Sequence, residues 1–342
     1  MNIKASLQTL KHYSFVAVFI VIYMYFAMVS GGLSLDAIMN VLRHSAVIGI
    51  IALGMGAICL TGEIDLSVGS MLTFVAGFSV VIFNMSHSII VTFIFAVASG
   101  LLCGIFNGFL VGYIKMPAFI ASLASMLMFR SISQYVCQKL PRNLIGNGSS
   151  VYRMDSSLEQ YSSLYSFGNG KIASILPLVG LVLIIVTALF VYITTSTKYG
   201  KKIYAVGSNE KAARLAGINT SLIKLSVFAI AGALVGFAAF LWIAMNGSAD
   251  PATTGKSYEM YAIAAVVLGG ISMSGGRGKL LGVLFGAMSY TVIDKIIIAL
   301  KMDSLINDSI KGAILIIVIL IQIAGPRIKE WYALRRLRKQ HT

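Results

Sequence analysis

Long apolar runs recur from one end of this chain to the other, and most are roughly 18 to 25 residues long. A helix of that length crosses about 30 Å of hydrocarbon, the thickness of a bilayer core. Charged residues make up only 11% of the chain and its mean hydropathy is +0.87, whereas a soluble domain carries roughly 25% charged residues. The runs are apolar throughout and do not alternate, which disfavours a β-barrel. The sequence therefore predicts an all-α, polytopic integral membrane protein.

Hydropathy predicts about ten transmembrane helices in a single membrane domain, residues 1–342. The predicted spans are 13–31, 43–61, 67–85, 88–112, 118–137, 172–195, 223–246, 259–274, 279–300 and 306–325. Lys4 and Lys11 precede the first run, so a cleaved signal peptide is an alternative there. The length of that run, with further spans after it, favours an uncleaved first span.

The distribution of Lys and Arg predicts which side of the membrane each loop faces. Basic residues concentrate in the N-terminal segment, in the loop 196–222 and in the tail 326–342, and they are sparser in the polar segment 138–171. The positive-inside rule then places both termini, the loop and the tail in the cytoplasm and 138–171 outside. Because the tail directly follows a predicted span, we expect its partner to be anionic membrane lipid and not nucleic acid.

Two breaks between predicted spans share a glycine pattern, LTGEIDLSVG at 60–69 and MSGGRGKLLG at 273–282. The glycines at equivalent places are Gly62 with Gly275 and Gly69 with Gly282. Both breaks fall on the predicted cytoplasmic side, which suggests a weak parallel internal repeat, a common plan in transporters. Glycine is frequent in such chains, so a chance match is the alternative.

Glu63 and Asp65 stand in the first of these breaks. Asp65 directly precedes the start of a predicted span, where a carboxylate is favoured by free N–H groups and the helix dipole. The structural interpretation is therefore a helix cap. The functional hypothesis is a gate at the inner mouth, because ionisable groups at span breaks are costly unless they are paired or hydrated. Its candidate pairs are Glu63 with Arg277 and Asp65 with Lys279.

The charged stretch YGKKIYAVGSNEKAARLAGINTSLIK, residues 199–224, contains a short predicted helix. Asn209 can cap its N-terminus, Glu210 is favourable beside the positive end of the helix dipole, and Gly217 can end it. Its alanines keep one face small, which lets a partner protein approach closely. An amphipathic helix lying on the lipid surface is the alternative interpretation.

Few polar groups within the spans indicate a substrate path. Asn107, Arg130 and Asn246 are weak candidates, because Asn also joins helices by hydrogen bonds and Arg130 can snorkel to the membrane surface. A row of small residues in the fourth predicted span is more consistent with close helix packing than with a ligand site. These residues are Gly100, Gly104 and Gly108.

Motifs for catalysis or metal binding are not found in this sequence. The three cysteines lack CxxC spacing and the four histidines are scattered, so we expect no metal site. Gly255-Lys256-Ser257 resembles the end of a P-loop, but Asp250 occupies the position of the required earlier glycine and no strand precedes it. With no HExxH or GxSxG motif, we expect no enzyme active site and no cofactor in this chain.

Three stretches together resemble the membrane subunits of bacterial sugar ABC importers, above all the ribose, xylose, galactoside and autoinducer-2 permease family. They are TGEIDLSVGS, YGKKIYAVGSNEKAARLAGIN and VVLGGISMSGGRGKLLG, and the likeness extends over residues 40–325 in matching order. The resemblance implies a permease that acts as a dimer with a second copy or paralogue in the bacterial inner membrane. It also implies a cytoplasmic ATP-binding subunit, which would bind the ATP, and an extracytoplasmic sugar-binding protein.

The resemblance assigns a role to the loop helix as well, since 210–218 corresponds to the coupling helix that docks in a groove of the ATPase. The candidate coupling residues are Asn209, Glu210, Ala212, Ala213, Arg214 and Gly217. The segment 138–171 is longer and more polar than the family pattern, which leaves its contacts with a binding protein open.

The function expected from these features is a path for a monosaccharide or similar small solute, operated by alternating access and driven by a separate ATPase. The alternative is an ion-coupled secondary transporter in which Glu63 or Asp65 carries protons. The scarcity of carboxylates at mid-membrane depth favours the ATP-driven importer.

Overall fold

A computed structural model describes residues 14–146, 150–303, 306–317, 319–320 and 324, and the description below concerns these residues. The predicted basic tail 326–342 lies outside the described residues, as does part of the predicted span 306–325. The helices are α1 (Ser14–Ser30), α2 (Leu35–Leu60), α3 (Val68–Ser86), α4 (Ile89–Gly112), α5 (Ala118–Lys139), α6 (Arg142–Ile145), α7 (Glu159–Asn169), α8 (Leu178–Ser196), α9 (Lys198–Ser208), α10 (Glu210–Leu215), α11 (Thr220–Asn246), α12 (Tyr258–Leu268) and α13 (Leu280–Ala299). Residues 307–317 are helical as well. The all-α, polytopic fold predicted from the sequence is confirmed.

Six of these helices are long and apolar enough to cross a membrane: α2, α3, α4, α8, α11 and α13. α5 has 22 residues, a sufficient length, but its sequence is more polar. α1 is a shorter apolar helix. Only 28% of the most apolar stretch of α4 and 33% of that of α8 are buried, so these helices turn much of their apolar surface outward.

The predicted span 259–274 differs from what the structure shows. α12 ends at Leu268 after 11 residues, which corresponds to a rise of about 16 Å, half of a hydrocarbon core. The chain then turns at Gly269 and Gly270. Hydropathy predicted a longer span because the residues after the turn remain apolar. Hydropathy does not report where a helix stops.

Helix α2 lies at the centre of the bundle. Every residue from Ser45 to Leu60 is buried, and α2 packs against α8, α11, α12 and α13. Such a helix is apolar on all sides because it has no face toward water.

The closest helix pair is α4 with α11, and glycines make the contact possible. A Cβ atom on Gly100 would lie 2.4 Å from the carbonyl oxygen of Gly232, and one on Gly104 would lie 2.3 Å from that of Phe228. Real Cβ atoms do not approach backbone so closely, so only glycine permits this spacing. The packing role predicted for this row of small residues is confirmed.

The segment 138–171 folds onto one end of the bundle. Its strand β1 (Tyr152–Arg153) pairs antiparallel with β4 (Ser248–Ala249), just after α11. A second short ladder joins β2 (Lys171–Ile172) to β3 (Leu176–Pro177). Tyr152 is fully buried, with its hydroxyl donating to the Ser133 carbonyl at 2.8 Å. α7 packs along α11, so the segment is part of the core structure.

The two glycine-containing breaks meet at the opposite end of α2. Gly276 N–H donates to the Leu60 carbonyl oxygen at 2.9 Å. Gly62 and Gly275 both have left-handed φ angles, +84° and +83°. Such angles favour glycine, which gives a physical reason for the matching residues. The internal repeat itself stays a prediction.

Candidate functional site

The short helix predicted in the loop 196–222 is present as α10, Glu210–Leu215. The Asn209 side chain accepts a hydrogen bond from Ala212 N–H at 3.0 Å, as predicted for an N-cap. Gly217 follows the helix with φ +81°, and Ile218 N–H donates to the Ala213 carbonyl at 3.0 Å. Local capping signals were therefore sufficient to place this helix to within a few residues.

The two faces of α10 have different surroundings. Ala213 is 5% exposed and packs within the core of this chain. The prediction that it contacts a partner protein is therefore wrong. Ala212, Arg214 and Gly217 are exposed, and Leu215 is 91% exposed. The sequence analysis did not single out Leu215, although an isolated leucine in a basic loop was the available signal.

A groove of about 780 Å³ runs beside this exposed face. Its lining residues are Lys115, Asn209, Glu210, Lys211, Arg214 and Leu215. Three of these residues, Lys115, Lys211 and Arg214, are cationic, and Leu215 is a large apolar side chain.

Lys224 connects α10 to the acidic break. Its ammonium Nζ lies 2.6 Å from Glu63 Oε1 and 2.7 Å from Glu210 Oε2, and its side chain is 9% exposed. The Thr220 hydroxyl, one turn earlier on the same face of α11, also donates to Glu210 Oε1, at 3.1 Å. We call Glu63, Lys224 and Glu210 the bridging triad. Because Lys224 lies between two carboxylates, each acidic residue helps to compensate its buried charge.

The partner predicted for Glu63 was wrong. The gate hypothesis paired it with Arg277, whereas the structure pairs it with Lys224, which is 161 positions away. Lys224 was detectable as the single charged residue in an apolar run, but the sequence does not show which carboxylates it meets.

Burial and polar contacts act in opposite directions on the pKa of the Glu210 carboxyl. Burial would raise its pKa, but the hydrogen bond and charge of Lys224 and the hydrogen bond from Thr220 outweigh burial and lower its pKa. Glu210 is therefore ionised at neutral pH, as its ion pairs with Lys224 and Arg214 require.

Asp65 lies in a buried polar cluster, and its described partners are not cations. Asp65 Oδ1 accepts from Ser67 N–H at 2.8 Å and from Ser67 Oγ at 2.6 Å, and Asn107 Nδ2 lies 3.5 Å from Oδ2. The carboxylate thus fixes the turn before α3, whose N-cap residue is Ser67, and does not bond the first-turn N–H groups, so the predicted cap by Asp65 is wrong. Burial raises its pKa, and the hydrogen bonds from Ser67 and Asn107 oppose that shift.

Arg277 and Lys279 flank the second break. Arg277 accepts a hydrogen bond through its main-chain carbonyl, from Ser272 N–H at 3.0 Å. Lys279 is the residue before the first turn of α13. The described contacts of Arg277 and Glu63 give no support to a pair between them, and the pair of Asp65 with Lys279 stays a prediction.

Asn107 joins helices through buried hydrogen bonds. Its Nδ2 donates to Ser67 Oγ at 2.8 Å and its Oδ1 accepts from Ser125 Oγ at 2.5 Å, with all three residues buried. The amide therefore connects α4 to α5 and to the acidic break, the alternative that the sequence analysis kept open.

Arg130 does not snorkel to the surface. Its Nη1 donates to Thr73 Oγ1 at 3.0 Å, to the Pro251 carbonyl at 3.1 Å and to the Thr254 carbonyl at 2.7 Å. It holds the turn that precedes α12. It also borders a cavity of about 350 Å³, so it remains a candidate for the path.

Asn246 is the last residue of α11, where its side chain donates to the Trp242 carbonyl at 2.9 Å. None of the described cavities includes it. Among the described residues, no group of three or more His, Cys, Asp or Glu is arranged to hold a metal ion.

The fold defines an all-α, polytopic membrane protein, and comparisons with known proteins identify its family. The family described as "Branched-chain amino acid transport system / permease component" matches residues 37–320. The chain belongs to this permease family. No solved structure matches it.

Curated relatives match over most of their own length. The ribose import permease protein RbsC of Escherichia coli K12 is 32% identical over 289 residues, covering 84% of this chain and 86% of the relative. RbsC of Haemophilus influenzae is 33% identical over 308 residues, covering 90% and 91%. The autoinducer 2 import system permease protein LsrC of Escherichia coli O9:H4 is 32% identical over 287 residues, covering 84% and 79%.

Proposed function

We propose that this chain is the permease subunit of an ABC importer for a monosaccharide or similar small sugar-like solute. It forms the translocation path by alternating access, and a separate cytoplasmic ATPase binds the ATP and drives the cycle. A second permease copy or paralogue completes the path, and an extracytoplasmic binding protein delivers the solute. The relatives are named for ribose import and autoinducer-2 import, which supports this class of solute.

The observation that carries the proposal is the two-sided packing of α10. Its inner face is fixed through Ala213 and the bridging triad, while Leu215 projects almost fully exposed beside a cationic groove. An isolated leucine at 91% exposure on a rigid helix in a basic loop is well suited to fill an apolar pocket of a partner. The exposed face of α10 is thus the docking surface for the ATPase.

The bridging triad supplies a connection between docking and the path. A displacement of α10 moves Glu210, which holds Lys224, which in turn holds Glu63 in the break between α2 and α3. Short charge-assisted hydrogen bonds transmit such a displacement better than a flexible loop does.

The proposed function also determines which side of the membrane each segment faces. The basic loop with α9 and α10 and both chain ends are cytoplasmic, and 138–171 faces outward, in the bacterial inner membrane. The ion-coupled alternative is disfavoured because Glu63 is held by Lys224 and Asp65 is occupied by Ser67 and Asn107.

Leu215→Glu tests the docking surface. We expect the variant to insert normally but to lose co-purification with the ATPase, because a carboxylate placed in an apolar pocket stays unpaired. Leu33→Glu is the matched control, since Leu33 is 67% exposed and precedes α2, at the opposite end of the bundle. Normal ATPase recovery with Leu215→Glu, or equal loss with Leu33→Glu, contradicts the docking role of α10.

A further inference from the structure

A cavity of about 410 Å³ lies between α2, α12, α13 and the helical residues 307–317. His44 borders it and Leu60 ends the same helix, so the cavity is about 24 Å along α2 from the acidic break. Next to His44, Arg43 hydrogen-bonds Asn169 at the end of α7. The cavity therefore lies at the α7 end of the bundle, remote from α10. Its lining residues are His44, Ile48, Tyr258, Tyr261, Tyr290, Thr291, Asp294, Lys295, Ile298, Asn307 and Lys311.

Three tyrosine rings form a continuous aromatic wall. The ring centroids of Tyr258 and Tyr261 are 5.6 Å apart, and those of Tyr261 and Tyr290 are 4.9 Å apart. Aromatic faces are electron-rich and pack well against weakly polarised C–H groups. Sugar rings present such C–H groups on one face and hydroxyl groups around their edge.

Charged and polar groups surround this wall. Lys311 is 5% exposed, forms an ion pair with Asp294, and lies over the rings of Tyr261 and Tyr290 at 4.4 Å and 5.3 Å. An ammonium group has three donors, so it can bond a ligand while it stays paired with Asp294. Asn307 Oδ1 is buried without a hydrogen-bond partner among the described residues, which leaves an acceptor for a ligand hydroxyl.

We propose that this cavity is a binding site for a polyhydroxylated small molecule within the permease itself. Its volume lies within the range of small-molecule sites, roughly 300–1,000 Å³. Asp294 compensates the charge of Lys311, and the Lys295 ammonium adds further donors to the lining. The inference rests on the proposed function for the class of solute. It adds that the permease contributes to recognition, through the tyrosine wall.

The test is saturation-transfer NMR on the full-length chain in lipid nanodiscs, with D-ribose as the probe. The wild-type protein should transfer saturation to the ring C–H protons. Tyr290→Leu and Asp294→Asn should weaken binding about tenfold, equivalent to about 1.4 kcal/mol. Tyr290→Phe should retain binding because the ring remains. Tyr192→Leu is the matched control, because Tyr192 is 63% exposed on α8, away from the cavity.

Competition tests the ligand class. Ribitol should displace D-ribose because it carries the same hydroxyl and C–H groups. Unchanged binding in both Tyr290→Leu and Asp294→Asn overturns the site, as does a failure of ribitol to compete or the lack of any wild-type signal. ATP-driven uptake by the complete importer is measured separately. Uptake without NMR binding refutes only the cavity, and binding without uptake refutes only the transport proposal.

Discussion

The stability of the α10 end of the molecule depends on the ion pairs of Lys224. Its side chain is nearly buried and its two acidic partners are 20% and 33% exposed, so removing the lysine leaves two carboxylates facing each other beside apolar surface. Removing one partner of a buried ion pair destabilises a protein by more than the pair's net contribution to stability, because the remaining charge loses its compensation.

A double-mutant cycle with Lys224→Met and Glu63→Gln measures the link between α11 and the acidic break. We expect each single change to lower the free energy of unfolding, with a coupling energy of about 1–3 kcal/mol, since the residues are in direct contact. Reversible unfolding in mixed detergent micelles gives the energies. Arg277→Gln, combined with Glu63→Gln, is the control and should show no coupling. The bridging triad is contradicted if the coupling with Lys224 is as small as that with Arg277.

At the scale of elements, the α4–α11 contact depends on glycine. Gly104→Ala places a methyl group 2.3 Å from a backbone oxygen, so the two helices must separate. We expect the free energy of unfolding to fall by about 1–3 kcal/mol, as for other overpacked cores.

Gly312→Ala is the matched control for this change. A Cβ atom at Gly312 meets no atom of the described residues within 4 Å, and the higher helix propensity of alanine should leave stability equal or up to about 1 kcal/mol higher. Equal effects of the two substitutions would show that helix propensity, and not the close contact, decides the outcome.

Local signals and long-range contacts explain which elements could be predicted. α10 was predictable because Asn209 and Gly217 act within a few residues of themselves, and the glycine row was predictable because its spacing already defines one helix face. The end of α12 was missed because apolar residues continue beyond it. The partners of Glu63 and the tyrosine wall depend on contacts between distant helices, which hydropathy and spacing do not contain.

At the scale of the whole molecule, the orientation in the membrane can be tested with cysteine labelling. The native Cys59, Cys103 and Cys137 are buried and should stay unlabelled. Ser163→Cys on α7 and Ser208→Cys on α9 are both exposed. In intact cells we expect an impermeant maleimide to label only Ser163→Cys, whereas in opened cells both should react. Labelling of Ser208→Cys in intact cells contradicts the proposed orientation.

Reconstitution shows whether ATP hydrolysis by a separate subunit drives solute through this chain. The chain, its ATPase and the binding protein are placed in proteoliposomes, and uptake of radiolabelled D-ribose is followed with either ATP or a proton gradient as the energy source. We expect uptake that requires ATP, stops when the ATPase is omitted, and is unchanged when a protonophore dissipates the gradient. Uptake that follows the proton gradient without ATP would contradict it.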